Sequence, residues 1–311
     1  MSERTTRRTG ESVLDRSGAN ARLGSAGRTD ARSPRTGHTR RTGELPSALD
    51  AIEPLLDAAR RVLLCLDYDG TLTPIVARPE IAELDVATRH LVRELAGLCA
   101  TAIVSGRDRR DIERRVQVPE AFYVGSHGFD VGGPAEHRLA LQIGEPYLAS
   151  LDAAERLLRA GSARLPGALV ERKRFSIALH SRMVARELLP AVGALVDEVL
   201  AQLPDLRREP GKEVIEVQPN VAWDKGKSVL WLKDALGLDD ALALHVGDDL
   251  TDETVFTVLA DDGAGIFVGE EERATAARYR LRDTEEVALL LRRMIPLLRA
   301  RTVGRAGRTA G

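Results

Sequence analysis

Val62-Leu63-Leu64-Cys65-Leu66-Asp67-Tyr68-Asp69-Gly70-Thr71-Leu72-Thr73 is a short apolar run that ends abruptly in two acids, a glycine and two hydroxyls. An uninterrupted apolar pentad with no polar face predicts a strand covered on both sides, as in a parallel sheet. Ligands of open α/β sheets bind at the carboxyl ends of the strands. Asp67 to Thr73 therefore falls where chemistry is expected. A plain turn draws on the same residue types. A calcium loop needs its glycine at the sixth loop position, and Gly70 is only the fourth residue from Asp67.

The pattern repeats outward from this stretch. Residues 86–98 place Val86, Leu91, Leu95 and Leu98 near one helical face, and 101–104 are a second short apolar run ended by Ser105-Gly106-Arg107. Helix is predicted over 108–116 and strand over 122–124. Much later, 242–246 form another apolar strand, ended by Gly247-Asp248-Asp249 with Asp252 and Glu253 just beyond. Helices follow at 254–259 and 285–298. Strands alternating with helices at this spacing predict an α/β fold with a doubly wound parallel sheet and right-handed crossovers.

The middle of the chain reads differently. Helices are expected at 151–160 and 184–203, and between them Phe175, Ile177 and Leu179 alternate with polar residues. Over 169–182, period two with one polar face predicts a strand with one side on a core and one side open. Glu213 to Val217 alternates as well. The expected organisation is a core of 45–138 and 219–300, interrupted by an inserted α+β cap at 139–218.

Composition bounds the rest. The chain is 43% hydrophobic with a net charge of -2, which suits a folded protein and excludes a general polyanion binder. Residues 1–44 carry ten Arg against five acids, leaving that segment at +5 and the remainder at -7. The segment lacks large apolar groups and is expected to be a disordered basic arm. A second short tail is expected at 301–311. Cys65 and Cys99 fit no metal or disulfide spacing and are expected to be small buried hydrophobes in a reducing, cytoplasmic setting. No apolar run approaches the roughly 18 residues of a membrane span.

The strand ends bring Asp67, Asp69, Asp248, Asp249 and Asp252 towards one crevice. Carboxylates crowded in this way need a cation between them. An all-oxygen donor set points to a hard ion, and Mg²⁺ working on phosphate is its usual role.

At this point a resemblance is plain. Asp67 to Pro74, Ser105-Gly106-Arg107, Lys225-Gly226 and Gly247-Asp248-Asp249 with Asp252 resemble, in order, the four motifs of haloacid-dehalogenase-type phosphohydrolases. Within that superfamily the chain is similar to the trehalose-6-phosphate phosphatases. The segments that carry this likeness are Gly125-Ser126-His127-Gly128, Glu171 to Arg182, Gly211 to Glu216 and Gly247 to Glu253. Related phosphatases acting on sucrose phosphate or a glycosyl phosphoglycerate are the nearest alternatives. A non-catalytic sugar-phosphate-binding domain is the alternative of another class.

The resemblance implies roles. Asp67 would be the nucleophile and Asp69 the general acid and base. Ser105 and Lys225 would hold phosphoryl oxygens; Lys227 is nearby, but Lys225 occupies the Lys-Gly position. Asp67, Asp69 through its carbonyl, and Asp248 would hold Mg²⁺, with Asp249 and Asp252 behind them. Arg107, His127, Gly128, Ser176, His180, Arg182, Lys212 and Glu216 would meet a small phosphosugar. Arg172, Arg174 and Ser181 stand where the pattern has an acidic, a small and an aromatic residue. No nucleic-acid or membrane partner is implied, and a monomer is expected.

Overall fold

The structure is a computed structural model that describes residues 40–76, 79–211 and 213–306. Its elements in chain order are β1 (Arg40–Arg41), α1 (Ala48–Ala58), β2 (Arg61–Leu66), α2 (Val86–Ala96), β3 (Ala100–Val104), α3 (Arg109–Val116), β4 (Phe122–Gly125), β5 (Asp130–Gly132) and β6 (Ala140–Gln142). There follow α4 (Leu148–Ser162), β7 (Leu169–Arg172), β8 (Ile177–His180), α5 (Leu189–Gln202), β9 (Leu206–Gly211) and β10 (Val214–Pro219). The chain ends with α6 (Lys225–Ala235), β11 (Ala241–Gly247), α7 (Glu253–Val258), β12 (Gly263–Val268), β13 (Ala274–Thr275), β14 (Tyr279–Leu281) and α8 (Thr284–Ala306).

An eight-stranded sheet runs β14-β12-β11-β2-β3-β4-β5-β6. It is parallel from β14 to β4 and antiparallel across β5 and β6. Why β2 is apolar throughout is now visible. Leu64 and Leu66 pack with α1, α2, α3 and α8, while Leu63 and Cys65 pack with α6 and α7 on the other face. Burial pushes the Cys65 thiol up to about 12, so it stays a neutral hydrophobe. The helix at 86 begins with Asp85 accepting from the Thr88 N–H. That cap turns Val86 to solvent, and Thr88, Val92 and Leu95 form the buried stripe instead.

A second, antiparallel sheet runs β7-β8-β10-β9, with α4 and α5 on one face. Ile177, Leu179 and Val217 point into that layer; Ala178, His180, Val214 and Glu216 lie on the opposite, uncovered face. The alternation at 169–182 is thus two strands of a hairpin rather than one. Lys173 N–H donates to the Ser176 carbonyl at 2.9 Å to close the turn.

Three boundaries differ from the sequence reading. Ala140–Gln142 pair with β5 in the large sheet, so the inserted unit starts after them. Arg40–Arg41 pair with Ala274–Thr275, and buried Thr42 donates from Oγ1 to the Glu271 carbonyl at 2.7 Å. Residues 40–44 of the expected arm therefore belong to the folded body, and the rest of that arm, 1–39, lies outside the described residues. The last helix continues to Ala306, because Arg301 docks on the carbonyls of Ala59 and Arg60. Of the tail expected from 301, only 307–311 lie outside the described residues. Among the described residues no helix is long and apolar enough to cross a membrane.

Candidate active site

The turn after β2 is fixed by its own backbone. Gly70 N–H donates to the Thr73 carbonyl at 2.8 Å, and the N–H groups of Leu72 and Thr73 converge on the Tyr68 carbonyl. Tyr68 is buried and donates its hydroxyl to the Ala82 carbonyl at 3.0 Å, anchoring the turn from below. Gly70 has φ +82°, and a Cβ there would stand 2.1 Å from Asp248 Oδ2. Only glycine lets the turn approach the end of β11 so closely.

Asp67 is 5% exposed and is held by Lys225, whose Nζ donates to its Oδ1 at 2.9 Å. Lys225 opens α6 behind the Asp224 cap, so the helix start delivers the ammonium to the strand ends. The same Nζ donates to Asp252 Oδ1 at 2.9 Å, and buried His245 meets that oxygen through Nε2 at 2.9 Å. Asp252 Oδ2 accepts from the Asp249 N–H at 3.1 Å, while Asp249 accepts from Leu250 N–H in a reciprocal cap.

Asp67, Asp248 and Asp252 offer oxygens within 4.8 Å of one another. Three carboxylates sharing one ammonium are under-compensated. Burial, together with Asp252 and Asp248, raises the Asp67 carboxyl well above its usual range despite the pull of Lys225. Burial and the charges of Asp252 and Asp249 push Asp248 up to about 7. Asp252 behaves oppositely. Burial opposes its charge, but Lys225 and His245 hold it well below the usual carboxylate range. Lys225 is raised above its usual value, its burial outweighed by Asp252 and Asp67. Asp252 is therefore spent on Lys225, and Asp67 and Asp248 are the two acids whose charge calls for a further cation.

Above these groups lies a cleft of about 680 Å³. Asp67, Asp69, Ser105, Arg107, His127, His180, Arg182, Glu216, Lys225, Asp248 and Asp249 all line it. Core and cap expectations thus converge on one space. Ser105, 1% exposed, accepts the Arg107 N–H on Oγ at 3.1 Å. Arg107 is placed on a protein acid: Nε and Nη2 each donate to the Asp69 carboxylate at 2.6 Å. Glu216 is bridged by Lys173 Nζ at 2.6 Å and His127 Nε2 at 3.3 Å. His180 meets Glu171 at 2.8 Å, and Arg182 meets Glu213 at 2.7 Å.

Other expected residues fall elsewhere. Ser176 shares the parity of the open face but is 2% exposed and does not line the cleft. Gly128 lies behind it, its carbonyl accepting the Trp223 indole N–H at 2.8 Å. Lys212 lies outside the described residues. Of the two additional arginines, Arg172 lines the cleft and Arg174 does not, and both are tied to neighbouring groups. Arg172 Nη1 donates to the carbonyls of Lys173, Arg174 and Ser176, and Nη2 reaches Asp152 at 3.2 Å. Arg174 reaches Gln142 at 3.3 Å and covers the Phe175 ring. Ser181 donates to the Glu213 carbonyl at 3.1 Å.

Three residues of the site were not singled out from sequence. Lys173 lies inside the Glu171 to Arg182 segment, but only the folded hairpin shows that its partner is Glu216. His245 looks apolar by register, following Ala241 and Ala243 on the same face of β11. Asp108 directly follows the Ser105-Gly106-Arg107 motif and reads as an ordinary helix cap.

Comparison with known proteins agrees with this geometry. Residues 65–285 match the family model described as trehalose-phosphatase. The chain is 35% identical over 274 residues to trehalose-phosphate phosphatase B of Arabidopsis thaliana, covering 83% of this chain and 73% of that one. It is 38% identical over 268 residues to trehalose 6-phosphate phosphatase RA3 of Zea mays, covering 80% and 74%. A solved trehalose-6-phosphate phosphatase related protein superposes with a TM-score of 0.67 at 26% identity, covering 76% of this chain and 97% of that one. With a haloacid-dehalogenase-type core, an inserted cap and the site between them, the chain belongs to the trehalose-phosphatase family.

Proposed function

We propose that the protein hydrolyses trehalose 6-phosphate to trehalose and phosphate, with Mg²⁺ as its cofactor. The observation that carries this reading is the meeting, in one cleft, of the Asp67–Lys225–Asp248 strand ends with the polar cap face around Glu216. An all-oxygen donor set, and the close approach of Gly70 to Asp248, fit a small hard cation held by Asp67, the Asp69 carbonyl and Asp248. Bound there, Mg²⁺ supplies positive charge against the phosphoryl oxygens.

The chain's own groups do the rest. Lys225 and Ser105 orient the phosphoryl group and neutralise charge that develops on its oxygens. An Asp67 carboxylate oxygen attacks phosphorus, and the bond from phosphorus to the sugar oxygen breaks. Asp69, which Arg107 must release, acts as the general acid that gives a proton to that leaving oxygen. Asp69 then takes a proton from water as the water attacks the aspartyl phosphate, which frees Asp67 and inorganic phosphate. Glu216, Lys173, His127, His180 and Arg182 present donors and acceptors suited to sugar hydroxyls. Of the extra arginines of the cap, Arg172 lines the cleft with its guanidinium bound to hairpin carbonyls, and Arg174 reaches Gln142.

Phosphate release from trehalose 6-phosphate, sucrose 6-phosphate and a glycosyl phosphoglycerate, each with Mg²⁺ and with EDTA, tests the reading. Turnover of trehalose 6-phosphate at least tenfold faster than the others, abolished by EDTA and restored by Mg²⁺, is expected. Preference for another phosphosugar would reject the substrate, and full activity in EDTA would reject the cofactor.

A further inference from the structure

Asp108 occupies the N-cap of α3 yet makes no side-chain cap hydrogen bond there. An aspartate at this position ordinarily accepts from the next helical turn. Its carboxylate is turned away, to two other loops. Oδ1 accepts from the Ser126 hydroxyl at 3.1 Å. Oδ1 and Oδ2 also accept from the Arg174 backbone N–H, at 2.9 and 3.1 Å.

Each of these loops carries one partner of Glu216. Ser126 and His127 have φ of +50° and +54°, a left-handed pair that non-glycine residues adopt at a cost. The pair is held by Ser126 N–H on the Arg107 carbonyl at 2.7 Å and His127 N–H on the Ser105 carbonyl at 3.1 Å. It points the imidazole at Glu216 Oε2. On the cap, the turn of the β7–β8 hairpin points Lys173 at Glu216 Oε1. A core loop and a cap loop therefore meet on one carboxylate, beside the loop that carries Ser105.

We propose that Asp108 is a positioning residue for substrate specificity: by tying the Ser126–His127 turn to the Lys173–Arg174 turn, it fixes His127 and Lys173 around Glu216. This rests on the proposed role of Glu216 in meeting the sugar. Asp108 lines the cleft, but its carboxylate is bonded to Ser126 and the Arg174 N–H and not to the residues at the strand ends. Losing it frees two loops that must otherwise be ordered when substrate binds, so the loss falls on the sugar and not on the phosphoryl step.

Steady-state kinetics on trehalose 6-phosphate and p-nitrophenyl phosphate test this with Asp108→Ala, Asp108→Asn, Glu216→Ala and the D108A/E216A double variant. D108A is expected to raise KM for the sugar phosphate about tenfold, with a loss on p-nitrophenyl phosphate at least fivefold smaller. D108N keeps an amide oxygen for both donors and is expected to recover KM to within about threefold of wild type. The double variant is expected to fall short of multiplying the two single losses, because Asp108 acts through the partners of Glu216. Equal losses on both substrates, multiplicative losses in the double variant, or D108N as impaired as D108A would each overturn the proposal. If D108A does not fold, S126A replaces it: a KM rise of about threefold is expected, and an unchanged KM overturns the tie. Wild type that turns over p-nitrophenyl phosphate but not trehalose 6-phosphate would reject the substrate reading alone. The tie would then be read on whichever phosphosugar is turned over.

Discussion

Lys225 is asked to compensate more negative charge than one ammonium can. Asp252 takes a large share of it, with His245 and the Asp249 N–H as further donors. Asp67 keeps the remainder, and burial penalises its charge. A carboxylate left in this state is costly to the fold, and in the proposed mechanism it is the nucleophile. Asp67→Asn should therefore lower kcat by at least about a thousandfold while leaving the metal-free melting temperature equal to or above wild type. A variant that retained a tenth of wild-type kcat would remove Asp67 from the nucleophile's role. Asp67, Asp69, Asp248 and Lys225 could be singled out in sequence because strand ends and motif spacing mark them. Asp108 and His245 were not, because a capping aspartate and a strand residue in an apolar register look structural until their partners are known.

Elements were readable in proportion to how one-sided their environment is. The runs at 62–66, 101–104 and 242–246 are strands covered on both faces, and their polar residues, Thr101 and His245, are themselves buried. Helix α6 gave no usable periodicity, since its buried positions include Lys225, Gly226, Ser228 and Lys233 beside Val229 and Leu232. Strand β12 was hidden by glycine. Gly265 stands in mid-sheet, and a Cβ there would lie 2.4 Å from the Phe256 ring, so packing chose a residue that strand propensity disfavours. The β10 strand carries a pH dependence. Burial works against the charge of Glu216, but His127 and Lys173 outweigh it and hold the carboxyl well below the usual carboxylate range. The unfolded chain takes up this proton first, near its ordinary value of 4.5, so the stabilisation is complete above that value and declines as pH falls below it. The gap in melting temperature between wild type and Glu216→Gln should be wider at pH 7 than at pH 4. A gap that is constant or widens towards acid would mean that Glu216 is not held as a paired carboxylate.

In the proposed reading, the described residues form a core that handles phosphate and a cap that faces the rest of the substrate. All described groups assigned to chemistry lie between Asp67 and Asp252. The order of the parts was legible, because the insertion interrupts one alternating pattern with another. Its edges were not, because β6 is a three-residue strand and Arg40–Arg41 pair far along the chain with β13. Two truncations separate folding from catalysis here. Removing residues 1–39 should leave kcat/KM for trehalose 6-phosphate within about twofold, since the cleft lining lies at residues 67–251. Removing residues 1–44 deletes the β1–β13 pairing and the Thr42 bonds, and should cost about 1–3 kcal/mol, a fall of several degrees in melting temperature. Identical melting curves for the two shortened chains would show that the pairing contributes nothing.

The chain contains two tryptophans. Trp223 lies in the segment that returns from β10 to α6, with its indole N–H bound to the Gly128 carbonyl of the core. Trp231 is carried by α6 and is partly buried against the core cluster that includes Leu63, Cys65 and Val255. One indole thus sits where the cap joins the core and the other is set in the core itself. Any swing of the cap that stretches the first indole's bond changes its polarity and its emission wavelength, while the second serves as an internal reference. Opening and closing can be followed by intrinsic fluorescence in stopped flow, with no attached dye.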